Sequence, residues 1–264
     1  MAYEYIEIAK DGHVATLTLN RPERLNALGR DLMLELIDAA RSFAHDTETR
    51  VVIFTGAGRH FCAGADLKDD TPRGDLPASR LQLRRSLRAG PDLVRAIHEI
   101  DQITIAAVNG GALGGGACIA TACDFRIGAS DSFCGYPEID RGMNLQWVAL
   151  PLCVHLIGPA RAKRMIMLGQ KENAKTLLDW AFYDEVAEPD ELLARARAMA
   201  DEYAAKPPIP AQMIKQSVNA VASALDRAVM HMDLDQWMLT ATTDDYREGI
   251  KAFLEKRAAR FEGN

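Results

Sequence analysis

From Asn109 the chain reads Asn109-Gly110-Gly111-Ala112-Leu113-Gly114-Gly115-Gly116, five glycines in eight residues. Glycine loses more backbone freedom on folding than any other residue, so this stretch predicts a tight turn in place of ordinary helix or strand. An apolar, β-branched run, Ile103 to Val108, leads into it. Small and apolar residues, Ala117 to Cys123, leave it as a predicted buried helix. A strand, a glycine turn and a helix start aim unpaired N–H groups and the positive end of a helix dipole at one point. Such a point stabilises a developing negative oxygen; the same glycines also serve close packing of helix on sheet. The phosphate-binding patterns Gly-x-Gly-x-x-Gly and Gly-Lys-Ser/Thr are absent, and no serine occupies a Gly-x-Ser-x-Gly frame. Twenty residues beyond Cys118 stands Pro137-Glu138, one carboxylate in apolar, glycine-containing surroundings.

Composition narrows the class. With 264 residues the chain suits one large domain, or one domain with a helical appendage. Apolar residues make up 48% and charged residues 26%, ordinary for a globular protein. A net charge of -6 without a basic run argues against nucleic acid as a partner. No apolar run approaches the length of a membrane-spanning helix, so no membrane association is expected. Met1-Ala2-Tyr3-Glu4-Tyr5 carries an acid and no apolar core, unlike a signal or transit peptide. The five cysteines, at 62, 118, 123, 134 and 153, lack the short paired spacings of a zinc site or a disulfide framework. A reducing compartment, the cytoplasm, is the expectation.

In chain order, Tyr5–Ile8 and Val14–Leu19 predict a hairpin around Asp11-Gly12. The loop Asn20 to Leu28 follows, then an amphipathic helix from Asp31 to about Ala44 and a buried strand, Val51–Thr55. A second glycine-broken turn, Gly56 to Leu67, precedes a polar segment, Lys68 to Ala78, read as a mobile loop. Helical spacing runs from Ser79 to Ile100. Helical patterns dominate beyond Trp147, broken at Gly158-Pro159, Gly169 and Pro207 to Pro210. Strands alternating with helices predict parallel βαβ-type units, followed by a helical tail.

Taken together, these segments resemble the crotonase superfamily of enoyl-CoA hydratases and isomerases over nearly the whole chain. The resemblance rests on Asn20-Arg21-Pro22-Glu23-Arg24-Leu25-Asn26-Ala27-Leu28, Phe61 to Lys68, Val108 to Gly116, Cys123-Asp124, Pro137-Glu138-Ile139, Glu248-Gly249 and Ala252 to Arg257. Each is weak alone; their order and spacing together are specific. The resemblance implies an α/β, crotonase-like (ClpP/crotonase) fold of repeated ββα superhelical turns. Residues 1–200 would form the catalytic core, and 201–264 a C-terminal helical region for trimerisation and CoA cover. It implies a homotrimer or dimer of trimers, and acyl-CoA as substrate with no separate cofactor and no metal. The Ala65 and Gly115 N–H groups would form the oxyanion hole, with Gly114 beside it. Arg24, Ala27, Ala63, Asp66 and Leu67 would lie along the CoA, and Phe253 and Lys256 would reach its adenine end.

Two departures bear on the reaction. Family hydratases use two glutamates to hold a water; here the second is Glu138, and Cys118 stands where the first is expected. A buried thiol does not polarise water as a carboxylate does. The glycine-rich segment usual after the Pro-Glu motif is replaced by Gly142-Met143-Asn144-Leu145-Gln146-Trp147, which puts Gln146 and Trp147 near the acyl pocket or, for Trp147, at the start of a buried helix. One glutamate suffices to move a proton from C2 to C4 of a 3-enoyl thioester, so double-bond isomerisation is the leading expectation. Hydration with Asp140 or Gln146 holding the water is the alternative, and a non-catalytic acyl-CoA-binding homologue is the rival from another class.

Overall fold

The computed structural model describes residues 3–66 and 79–264; the expected loop Lys68 to Ala78 and the expected CoA contact Leu67 lie outside them. Strands β1 (Ile6–Asp11) and β2 (Val14–Leu19) form the hairpin. Helix α1 (Arg30–Ser42) and strand β3 (Val51–Gly56) follow, then α2 (Arg80–Ser86), α3 (Ala89–His98) and β4 (Ile103–Val108). The glycine stretch holds β5 (Gly111–Leu113) and opens α4 (Gly115–Ala122). After β6 (Phe125–Ala129) and β7 (Phe133–Gly135) come α5 (Ala149–Met167), β8 (Glu172–Asn173), α6 (Ala174–Asp179), β9 (Glu185–Ala187) and α7 (Leu192–Ala204). Helices α8 (Pro208–Ala222), α9 (Arg227–Met230), α10 (Asp233–Thr240) and α11 (Asp244–Glu255) close the chain.

Six strands form the larger sheet in the order β1-β2-β3-β4-β6-β9, parallel except for the β1–β2 hairpin. A second ladder runs from Cys62 to Ala112 of β5, to Cys134 of β7 and to Glu172 of β8. The chain therefore gives one strand to the large sheet, one segment to the small one, then a helix, and repeats: β3, Cys62, α2–α3; β4, β5, α4; β6, β7, α5. This is the expected ββα superhelix.

Both faces of β3 are covered, so all six of its residues are buried. Alternation sends Val51 and Ile53 towards α7, in one apolar cluster with Ala196 and Ala200. Val52 and Phe54 enter the larger cluster on the other side, with Leu93 and Ile97 of α3 and Ile119 of α4. Helix α7 continues past residue 200 and remains part of this core; the more peripheral helices start at α8. That helix is fastened by buried Lys215, whose Nζ lies 2.6 Å from Asp124 Oδ2 and donates to the Gln102 carbonyl at 2.8 Å.

Three local expectations are corrected. The pattern from Ser79 to Ile100 is two helices, because the chain turns at Leu87-Arg88. The glycine stretch is not turn alone: Gly111 to Leu113 pair with β7, since neighbouring strands supply the partners that offset glycine's entropy. Within the part expected to be helical, β8 and β9 complete the two sheets. Both are too short, at two and three residues, to carry a period.

Candidate functional site

Two glycine turns meet at the start of α4. Leu28 N–H donates to the Gly64 carbonyl at 2.8 Å, and Asp66 N–H donates to the Leu28 carbonyl at 3.1 Å. In this parallel bridge the N–H of Ala65, between them, points away from Leu28. Gly115 is the first residue of α4, so its N–H has no intrahelical acceptor. Among the described residues neither N–H donates a hydrogen bond. Their turns approach closely. Gly64 has φ +91°, and a Cβ there would lie 2.7 Å from the Leu113 carbonyl oxygen and 3.5 Å from the Gly115 nitrogen. Two backbone donors next to each other, one backed by a helix dipole, form a seat for a developing oxyanion.

Glu138 faces this seat. A Cβ on Gly114 would lie 2.9 Å from its Oε1 and 3.9 Å from the Cα of Gly64. The other oxygen, Oε2, is buried without a hydrogen-bond partner. Burial is the largest influence on the carboxyl and lifts its pKa to about 7; the Arg141 guanidinium opposes the rise and Asp140 adds to it. A carboxyl near neutrality can both take and return a proton at ordinary pH. Arg141 donates to the Pro137 carbonyl at 2.9 Å and its guanidinium sits 4.3 Å above the Phe253 ring, so α11 covers the turn that follows Glu138.

Cys118 lies one helical turn beyond Gly114 and is buried. Its thiol is pushed well up, first by burial and then by the charges of Glu138 and Asp233, so it is a neutral neighbour of the carboxylate. Gln146 has its Oε1 buried without a partner. Asp140 is exposed and packs beside Gly169, where a Cβ would lie 3.0 Å from its Oδ2. Trp147 is buried with its indole against Gly115.

The expected CoA residues divide into two groups. Arg24 and Ala63 are exposed and Ala27 half-buried, joined by hydrogen bonds from Ala63 N–H to the Leu25 carbonyl and from Ala27 N–H to the Arg24 carbonyl. They form a ledge beside the two donors. Asp66 instead is buried, with Oδ2 3.3 Å from Arg21 Nη2. It ties the first loop to the Ala65 turn. Phe253 lies under Arg141, and Lys256 caps α11 in the left-handed conformation.

Sequence reasoning passed over Asn26, Asn109 and Asp233. Asn26 is fully buried; its Nδ2 donates to the Ala57 and His60 carbonyls at 2.9 and 2.7 Å, and its Oδ1 accepts from Arg21 N–H. Asn109 Nδ2 donates to the carbonyls of Gly56 and Gly58. Asn26 ties the loop 20–28 to the turn after β3, and Asn109 ties that turn to the glycine stretch; for Asn109, its place beside the glycines was the available signal. Asp233 had none beyond being an acid in the first turn of a helix.

An apolar α/β spiral that brings two free N–H groups and one buried carboxyl together is the architecture of an acyl-transfer or enolate-stabilising enzyme. Residues 9–264 match the family model described as enoyl-CoA hydratase/isomerase. The chain is 35% identical over 263 residues to the crotonyl-CoA hydratase of Syntrophomonas wolfei, covering 99% of each. It is 32% identical to the 1,2-epoxyphenylacetyl-CoA isomerase of Escherichia coli, over 98% of this chain and 99% of that one. A solved enoyl-CoA hydratase from Mycobacterium avium subsp. paratuberculosis superposes with a TM-score of 0.87 at 25% identity, covering 99% of this chain and all of the other. The chain belongs to the enoyl-CoA hydratase/isomerase family of the crotonase superfamily, and it has the fold of that family.

Proposed function

We propose that this chain is an acyl-CoA thioester enzyme that isomerises an enoyl double bond, with Glu138 as its acid/base and the N–H groups of Ala65 and Gly115 as its oxyanion hole. The observation that carries the reading is the state of Glu138: one oxygen buried and unpartnered, the carboxyl near neutrality, and a neutral thiol where a second carboxylate would stand. The ionised carboxylate takes a proton from C2 of a 3-enoyl thioester. The C2–H electrons move into a dienolate, with negative charge on the thioester oxygen between the two donors. The same proton returns at C4, so the double bond shifts from C3–C4 to C2–C3 with no atom gained or lost. Each such donor in a dry site contributes about 3 kcal/mol to lowering the barrier. The CoA would lie along the ledge of Arg24, Ala27 and Ala63, with α11, Phe253 and Lys256 at its far end.

Hydration is the second reading. Gln146 favours it, because its buried Oε1 lacks a partner and could hold a water in place of the missing carboxylate. The exposed apolar residues of α8 (Ile209, Met213, Ile214 and Val218) support a homotrimer or a dimer of trimers. Turnover of 2-enoyl- and 3-enoyl-CoA thioesters in heavy-oxygen water separates the reactions. A shifted double bond without label supports isomerisation, whereas labelled product means hydration. Glu138→Gln should keep thioester affinity and lose at least about a thousandfold in kcat, since no base remains to move the proton. Full activity in that variant would sink the assignment, and a chain that binds thioesters but turns none over would be a binding homologue.

A further inference from the structure

Trp147 and Val148 are consecutive residues in the left-handed conformation, with φ +68° and +55°. For an aromatic and a β-branched residue this is an outlier that the surroundings must enforce. The surroundings supply one carboxylate. Asp233, buried at the start of α10, accepts the Val148 N–H on Oδ2 at 3.2 Å, and the neighbouring Trp147 N–H also favours its charged form. Successive N–H groups that converge on one anion make a backbone nest, and the anion here is a side chain 85 residues further along.

What the nest holds in place is the indole. A Cβ added to Gly115 would lie 2.3 Å from Trp147 Cζ3 and 2.8 Å from Leu28 Cδ1. A Cβ on Gly90 of α3 would lie 2.1 Å from Trp147 Cε2. The ring is therefore wedged between α3 and the first residue of α4, touching the backbone that carries one N–H of the oxyanion seat. Leu28 touches the same glycine, and its own backbone fixes the residues on either side of Ala65.

We infer that Asp233 is a positioning residue for this reaction: by fixing the Trp147–Val148 turn it holds the indole against Gly115 and so sets the direction of the Gly115 N–H. The inference rests on the proposed role of the Ala65 and Gly115 donors. It gives the C-terminal helices a part in the chemistry without contact with the reacting atoms.

The test uses the whole chain, Asp233→Ala, Asp233→Asn and Trp147→Phe, with butyryl-CoA carrying carbon-13 at its carbonyl as a saturated probe. The infrared carbonyl band of bound probe reports how strongly the two donors polarise it. Wild type should lower the band. Asp233→Ala and Trp147→Phe should bind the probe within about threefold of wild type, with a smaller band shift and kcat reduced about 10- to 100-fold at similar KM, the scale of a misplaced donor. Asp233→Asn should recover most of both, because its amide oxygen still accepts N–H bonds. If Asp233→Ala does not fold, Trp147→Phe carries the same expectation with the nest intact. Variants that keep the wild-type shift and kcat, or that lose only thermal stability, overturn the positioning role alone. A wild-type protein that binds the probe with no shift overturns the oxyanion reading, and this inference with it.

Discussion

The carboxylate of Glu138 and the backbone of Gly114 share one space: a Cβ at residue 114 would come within 2.9 Å of Oε1. Gly114 has φ +53° and ψ −119°, a region that side-chain-bearing residues avoid. The glycine therefore serves the turn and the carboxylate at once. Gly114→Ala should fold, with a lower melting temperature, and lose about 100-fold in kcat because the carboxylate is displaced by roughly an ångström. Wild-type kcat in this variant would mean that Glu138 has no fixed position to lose.

A base with its pKa near 7 gives a pH–rate limb. Activity should rise as pH increases through about 7, where the Glu138 carboxylate forms. Stability should run the other way. The folded carboxyl holds its proton more tightly than the unfolded one, so its contribution is complete below about pH 4.5 and is lost as pH rises to about 7. Glu138→Gln should accordingly be more stable than wild type at pH 8, by at most about 3 kcal/mol, in urea unfolding. Equal stability at pH 8 would show that the carboxyl is not held near neutrality.

The two charges beside Glu138 should move that limb in opposite directions. Removing the guanidinium in Arg141→Leu takes away a stabilising positive charge, so the limb should move to higher pH. Asp140→Asn removes a negative charge and should move it to lower pH. Profiles of kcat/KM for the two variants check both signs.

Cysteine chemistry should be silent in the folded protein. All five thiols are buried, and burial raises those of Cys62, Cys123 and Cys153 to about 12. Iodoacetamide at pH 8 should leave activity intact and modify five thiols only after unfolding. Cys118→Ala should keep at least about half of the isomerising turnover, because a neutral thiol donates nothing that the proton transfer needs. Rapid inactivation traced to Cys118 would contradict this.

Lys215 should matter for stability and not for chemistry. It meets Asp124 and a backbone carbonyl in a buried setting, so Lys215→Met leaves Asp124 without its cation. A loss of about 3 kcal/mol in urea unfolding is expected, with kcat per folded molecule unchanged.

The sequence by itself determined the alternation of strands and helices, the two glycine-bearing turns, the lone glutamate and the missing second one. Each is a local property, written in spacing and residue type over a few neighbours. Pairing decided the rest. Gly111 to Leu113 form a strand only because β7 lies beside them, and β9 is visible only as the sixth strand of a sheet. Asp66 has the place of a ligand-side residue in the chain, yet its carboxylate turns inward to Arg21. Asp233 reads as a solvated helix-start acid until α10 folds back and sets it against the N–H groups of Trp147 and Val148. Contacts between residues tens of positions apart leave no period in the sequence. They exist only once the core has closed and burial gives one carboxylate, among many in the chain, a different chemistry.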